Sequence, residues 1–133
     1  MDKKQERQFK GKIIQALRKL SYTNPDRKIA FDKAKVESAT HECCICKTWC
    51  YGGESLSNFE SLVEQYPDKN IIKNKAQADH IKEVIPTEGF SNGSWDWHEY
   101  IERLHFCGEQ GWQIICVNCH NNKTNNENKR RKK

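Results

Sequence analysis

Two pairs of cysteines and a few polar side chains near them carry most of the chemistry in this chain. Cys43 and Cys46 form one Cys-x-x-Cys, and Cys116 and Cys119 form another, with sixty-nine residues between the pairs. Two intervening residues let both sulfurs of a pair reach one ion from a single turn. Two such pairs supply the closed thiolate tetrahedron that structural zinc prefers. The separation is longer than in a compact zinc ribbon, so the ion would pin distant segments together. Cys44 or Cys50 offers a substitute for Cys43 or Cys46, His41 is a further candidate, and Cys107 is left over. Buried small thiols or a redox dithiol are the plainer readings of the same spacing. Beyond the cysteines stand an Asp79-His80 dipeptide and a His120, with Lys123 one helical turn later.

The seven cysteines also bear on compartment. The N-terminus, MDKKQERQFK, lacks the apolar stretch of a signal peptide, and the longest purely apolar run is residues 114–117. No membrane partner and a cytosolic location are therefore expected. Cysteines there bind metal or act chemically more often than they form disulfides.

With 133 residues and 31% charged side chains, the chain has the length of one domain and little apolar surface to bury. A structural metal would stabilise such a domain. The net charge of +5 is uneven: residues 1–20 carry +5, residues 125–133 carry +4, and the middle carries −4. Basic ends around an acidic middle suit a polyanion gripped by the flanks, although solvated termini would look the same.

Periodicity and punctuation suggest the elements that must position these groups. Phe9, Ile13, Ala16, Leu17 and Leu20 predict an amphipathic helix over about 4–20. Asn24-Pro25-Asp26 opens a second helix running to about Ser38. Residues 41–53 read as a metal knuckle and turn, and Ser57-Asn58-Phe59-Glu60 as a capping box for a short helix ended at Pro67. A strand over 75–81 carries Asp79 and His80, a loop spans 85–94, and Ser94 caps a helix bearing Trp97, Ile101 and Leu104, with Gly108 as its stop. A second strand at 112–115 precedes a basic helix from Val117, with a frayed end.

The segment Gln77-Ala78-Asp79-His80-Ile81, taken with Trp112-Gln113-Ile114-Ile115-Cys116-Val117-Asn118-Cys119-His120-Asn121-Asn122-Lys123-Thr124, resembles the HNH endonucleases. Their signature is an Asp-His-Ile strand, a second strand, and a helix opening with Cys-x-x-Cys-His-x-x-Lys. The wider chain is similar to small bacteriophage HNH proteins, in which N-terminal helices lead into a Cys-x-x-Cys knuckle. The segment Gly89-Phe90…Trp95-Asp96…Tyr100-Ile101-Glu102-Arg103-Leu104 belongs to that likeness, which covers most of residues 9–124.

The resemblance implies an α+β fold: a ββα-metal core stapled by a four-cysteine zinc site, with N-terminal helices and an inserted helix. It implies one nuclease domain over 1–133, with a helical extension (1–40), a zinc/HNH core (41–124) and a basic tail (125–133). It further implies that Asp79 and His120 hold a catalytic divalent ion (Mg²⁺, or Mn²⁺, Ni²⁺ or Co²⁺), while His80 is the general base. The products would carry 5′-phosphates. The substrate would be DNA, with Lys123, Lys129, Arg130 and Arg131 on its phosphates, and nicking is the default for one active site. A phage setting would put the chain in the bacterial cytoplasm and allow a packaging or other partner protein.

The chemistry is coherent with these residue types. Phosphodiester hydrolysis needs an activated water and a cation on the developing charge. Adjacent strand residues point to opposite faces, so Asp79 and His80 cannot do the same job. Zinc on Cys116 and Cys119 would fix the first turn of the last helix, whose N-terminus suits phosphate.

One position departs from the pattern: the middle Asn, which braces the turn presenting the base, falls on Gly111. Asn118, Asn121 and Gln113 are the candidate substitutes for that brace. Plainer alternatives stand beside each role. Asp79-His80 could be a surface turn, His120 a zinc ligand, and Lys123 a solvated helix residue. His98 and His105 read as structural or exposed, and Trp95, Trp97 and Trp112 as core. A non-catalytic zinc-stapled nucleic-acid-binding or packaging accessory protein is the alternative function.

Overall fold

Capped helices alternate with very short strands along the chain, and it is the strand pairings that bring the distant residues together. A computed structural model describes residues 1–132; Lys133, the last residue of the basic tail, lies outside the described residues. The fold is mixed α and β.

Helix α1 (Lys3–Leu20) opens with a capping box between Asp2 and Gln5. Helix α2 (Pro25–Ala34) opens as expected, with Asn24 accepting from the Asp26 amide and Pro25 in the first turn. It ends four residues before Ser38, because the chain turns extended at Lys35 and enters a sheet. Strands β1 (Lys35–Glu37), β2 (Thr40–Glu42) and β3 (Trp49–Tyr51) pair antiparallel, and β4 (Ile71–Ile72) joins β3 in parallel.

Helix α3 (Leu56–Gln65) is capped by Ser55, whose side chain accepts from the Asn58 amide; the expected box at Ser57 is not used. Strand β5 (Gln77–His80) is shorter than the 75–81 span expected and stops before Ile81. Helix α4 (Trp97–His105) is capped by Asp96 in place of Ser94, and it ends before Gly108. Strand β6 (Trp112–Ile115) pairs antiparallel with β5, placing Asp79 opposite Gln113 and His80 opposite Trp112. Helix α5 (Val117–Arg131) follows at once, so the basic end is helical to Arg131.

Three small cores hold this together. Cys43, Cys50, Ala76, Ile114, Ile115 and Cys116 form one, against α2. Trp49, Tyr51 and Leu62 form a second beneath α3. Phe90, Tyr100 and Leu104 form the third, with Trp95 and Trp97 packed on it and α1 contributing Ile14 and Leu17. Trp112 lies apart from that aromatic group, so the three tryptophans divide between two places. The face of α1 expected to be buried is largely open: Phe9 is 52% and Leu20 56% exposed. Among the described residues, no helix is long and apolar enough to cross a membrane.

Candidate metal centre and polar cluster

The cysteines converge because β2 and β3 fold the first pair back onto the end of β6. The turn between those strands is tight: the Cys43 amide donates to the Thr48 carbonyl (2.8 Å) and the Lys47 amide to the Cys43 carbonyl (3.0 Å). Lys47 closes it at φ +67°, in the left-handed region. The Cys44 amide donates to the Ile114 carbonyl (3.0 Å), fastening the turn to β6. Cys116 caps α5, its sulfur 3.4 Å from the Cys119 amide, so the second pair sits on the first turn of that helix.

As a result the sulfurs of Cys43, Cys46, Cys116 and Cys119 all lie within 4.8 Å of one another. Four thiolates at about 2.3 Å from zinc stand about 3.8 Å apart at the corners of a tetrahedron. The 3.6 Å between the sulfurs of Cys46 and Cys116 matches that edge. The donor set therefore fits a structural metal ion such as zinc. The Cys46 thiol is pulled down to about 6, chiefly by its hydrogen bond with the Thr48 hydroxyl, while burial pushes Cys119 up. His41 and His120 do not belong to this group, and neither do Cys44 and Cys50. His41 instead packs edge-on against Phe31, with centroids 5.3 Å apart.

Beside the thiols, strand alternation sorts the polar residues onto two faces. On one face, Asp79 turns toward α5. Its Oδ1 is 4.0 Å from His120 Nε2, and its Oδ2 accepts from Lys123 Nζ (2.5 Å) and from Gln113 Nε2 (2.9 Å). The Lys123 ammonium also donates to the His80 carbonyl and lies 3.6 Å from Glu127. Two donors on one divalent ion can span about 4.2 Å at ligand distances near 2.1 Å, so Asp79 and His120 are close enough to share one. Gln113 is a member of this group that the sequence had offered only as a brace for His80. Its place is set by the cross-strand register with Asp79.

His80 faces the other way, and the structure does not bring its ring into the Asp79–His120 group. The ring stacks on Trp112 with centroids 3.9 Å apart, and Nε2 lies 2.8 Å from the Leu104 carbonyl of α4. None of Asn118, Asn121 or Gln113 serves as its hydrogen-bonded brace; the Leu104 carbonyl does. Burial lowers the His80 pKa, with Lys123 and His105 acting in the same direction and the Leu104 bond and Asp79 opposing. Asn could not stand at position 111 without movement: a Cβ there would lie 2.5 Å from the Cys107 Cβ and 2.6 Å from its sulfur.

The remaining charged candidates are partly engaged within the chain. Arg130 pairs with Glu83 (2.5 Å), and Arg131 donates to the Ile85 carbonyl (2.8 Å); Lys129 is exposed. His98 is exposed near Glu102, and His105 donates to the Leu17 carbonyl of α1 (2.8 Å). In comparisons with protein-family models, with curated proteins and with solved structures, no match to the chain was found.

Proposed function

We propose that this chain is a zinc-stapled, metal-dependent endonuclease of the HNH type that hydrolyses DNA phosphodiester bonds. The observation that carries the reading is the approach of Asp79 and His120 to 4.0 Å on a unit of two strands and a helix, next to a four-thiol cluster at that helix's start. Asp79 and His120 would hold a divalent ion, which supplies positive charge for the leaving oxygen when bound. A carboxylate oxygen with an imidazole nitrogen accepts Mg²⁺ but favours Mn²⁺, Co²⁺ or Ni²⁺.

The chain's own groups do the rest. His80, on the adjacent position of β5, removes the proton from the attacking water; a phosphodiester lying across the end of the strand can meet both faces. The first turn of α5 offers backbone N–H groups to phosphate. Lys123 is placed to exchange its carboxylate partner for a phosphate oxygen, as is Arg130 at the far end of α5; Arg131 would exchange the Ile85 carbonyl, and exposed Lys129 lies between. One candidate site per chain supports nicking.

A second reading draws on the ammonium of Lys123, which already covers Asp79. A site closed in this way would suit a DNA-binding or packaging accessory protein that does not cut. Incubating zinc-loaded protein with supercoiled plasmid in Mg²⁺, Mn²⁺, Co²⁺ or Ni²⁺ separates the two. Relaxed circles should appear, they should vanish with His120→Ala, and they should form about 10²–10⁴-fold more slowly with His80→Ala. Because burial lowers the His80 pKa, the neutral base persists into acid, and the rate should fall only below the ordinary value near 6.5. DNA binding with no cleavage in any of the four metals defeats the enzyme reading.

A further inference from the structure

We infer that the C-terminal end of α4, held in place by Asn24 and His105, is the positioning device for His80, fixing its ring with Nε2 protonated and Nδ1 as the free lone pair. This rests on the reading of His80 as the general base.

A carbonyl oxygen only accepts, so the 2.8 Å contact with Leu104 O requires a hydrogen on Nε2. In the neutral imidazole Nδ1 then carries the lone pair, and it is the nitrogen able to take a proton from water. Trp112 against the ring face restrains its rotation. The bond is useful only if the carbonyl stays put, and Leu104 sits at a helix end, where carbonyls are otherwise free to turn to water.

Two bonds prevent that. The neighbouring His105 carbonyl accepts from Asn24 Nδ2 (3.0 Å), and His105 Nε2 donates to the Leu17 carbonyl (2.8 Å). Leu104 itself is buried at 4% exposure among side chains that include Ile14 and Leu17 of α1. The end of α4 is thus tied to α1 and to the cap of α2. On this account the N-terminal helices, which bear no residue of the Asp79 cluster, reach the reaction through α4. An Asn at position 111, which would clash with Cys107, is not needed.

Asn24 does two jobs with two different atoms, which makes the test selective. Its Oδ1 caps α2 by accepting from the Asp26 amide (2.9 Å), while its Nδ2 holds His105. Asn24→Asp keeps an equally good cap and removes the donor. His105→Gln retains an N–H donor and is the conservative control. The primary readout is ¹⁵N NMR of the His80 imidazole in zinc-loaded protein above its titration range. The wild type should show a protonated Nε2 and an unprotonated Nδ1, as should His105→Gln. Asn24→Asp should show both tautomers, with plasmid-nicking kcat down roughly 10–100-fold and KM within about twofold.

A wild-type His80 protonated at Nδ1 overturns the inference, and this measurement does not depend on any variant folding. An Asn24→Asp protein with an unchanged tautomer and unchanged kcat overturns the role of Asn24 and the α4 end. If the tautomers behave as expected while His80→Ala nicks as fast as wild type, the positioning stands and the general-base reading falls.

Discussion

Lys123 occupies ground that a divalent ion on Asp79 would need, and replacing it with methionine measures how firmly. The ammonium is 2.5 Å from Asp79 Oδ2, donates to the His80 carbonyl and lies 3.6 Å from Glu127. Lys123→Met keeps most of the apolar stem and deletes the charge. The Lys123 and Asp79 side chains are 21% and 16% exposed, so their pair is neither fully solvated nor dry. Exposed pairs contribute about 0.2–1 kcal/mol, and hydrogen bonds to charged groups about 1.5–3 kcal/mol. Parting this pair should cost about 1–2 kcal/mol, which corresponds to roughly a 5–30-fold change in affinity. Calorimetric titration of Mn²⁺ into zinc-loaded protein should therefore find Lys123→Met binding that much more tightly than wild type. Nicking at saturating Mn²⁺ should nevertheless be slower, because the phosphate loses its lysine. Equal or weaker Mn²⁺ binding by the variant would refute the competition. If neither wild type nor Lys123→Met takes up Mn²⁺, the assignment of Asp79 and His120 as ligands is what fails.

Two further expectations concern stability. Gly111→Ala places a Cβ 2.5 Å from that of Cys107, an overpacking that should cost about 1–3 kcal/mol and lower Tm by roughly 4–12 °C. Combining it with Cys107→Gly should recover part of the loss, and a Gly111→Ala protein melting within a degree of wild type would show that the close approach is absent. Cys119→Ser breaks the thiol cluster. Since structural zinc in small domains is worth on the order of 10–16 kcal/mol of apparent folding energy, the variant should lose its zinc by elemental analysis and its cooperative thermal transition by circular dichroism. Soluble, folded wild-type protein without zinc would overturn that expectation.

The parts of the fold legible in the sequence are those with a local signature. Asn24-Pro25 caps α2 because a side-chain oxygen and a fixed φ act within one turn. The two Cys-x-x-Cys pairs meet because each is already folded around one turn and the β6–α5 junction has no slack. What stayed hidden depends on partners far away in the chain. Lys35–Glu37 continues a helical pattern, and only pairing with β2 makes it a strand. Ile71–Ile72 is two residues long and exists as a strand through β3. Phe9, Ile13, Ala16, Leu17 and Leu20 read as a buried face of α1; Leu17 does pack on α4's core, but its companion there is Ile14, one residue round the helix from Ile13, while Phe9, Ile13 and Leu20 stay open. At the candidate site, the likeness to the HNH motif picked out Asp79, His120 and Lys123, and strand register then added Gln113. The Leu104 carbonyl had no signal at all, since a backbone oxygen is the same in every residue.

A metal ion held by the thiol cluster would also turn the chain into a ring. Joining Cys46 to Cys116 through one ion encloses about 70 residues, and in the chain-entropy view such a cross-link removes about 4 kcal/mol of freedom from the unfolded chain. The ring includes the surface segment around Gly89 and Gly93, both at positive φ, before α4. A backbone cut there would leave two polypeptides with one cysteine pair each. The first would carry Asp79 and His80, and the second Leu104, Gln113, His120 and Lys123. Coordination would then replace the peptide bond as the link between the halves, beside the β5–β6 pairing and the shared cores. Chelation would leave only those non-covalent contacts to keep together two pieces that each hold half of the site.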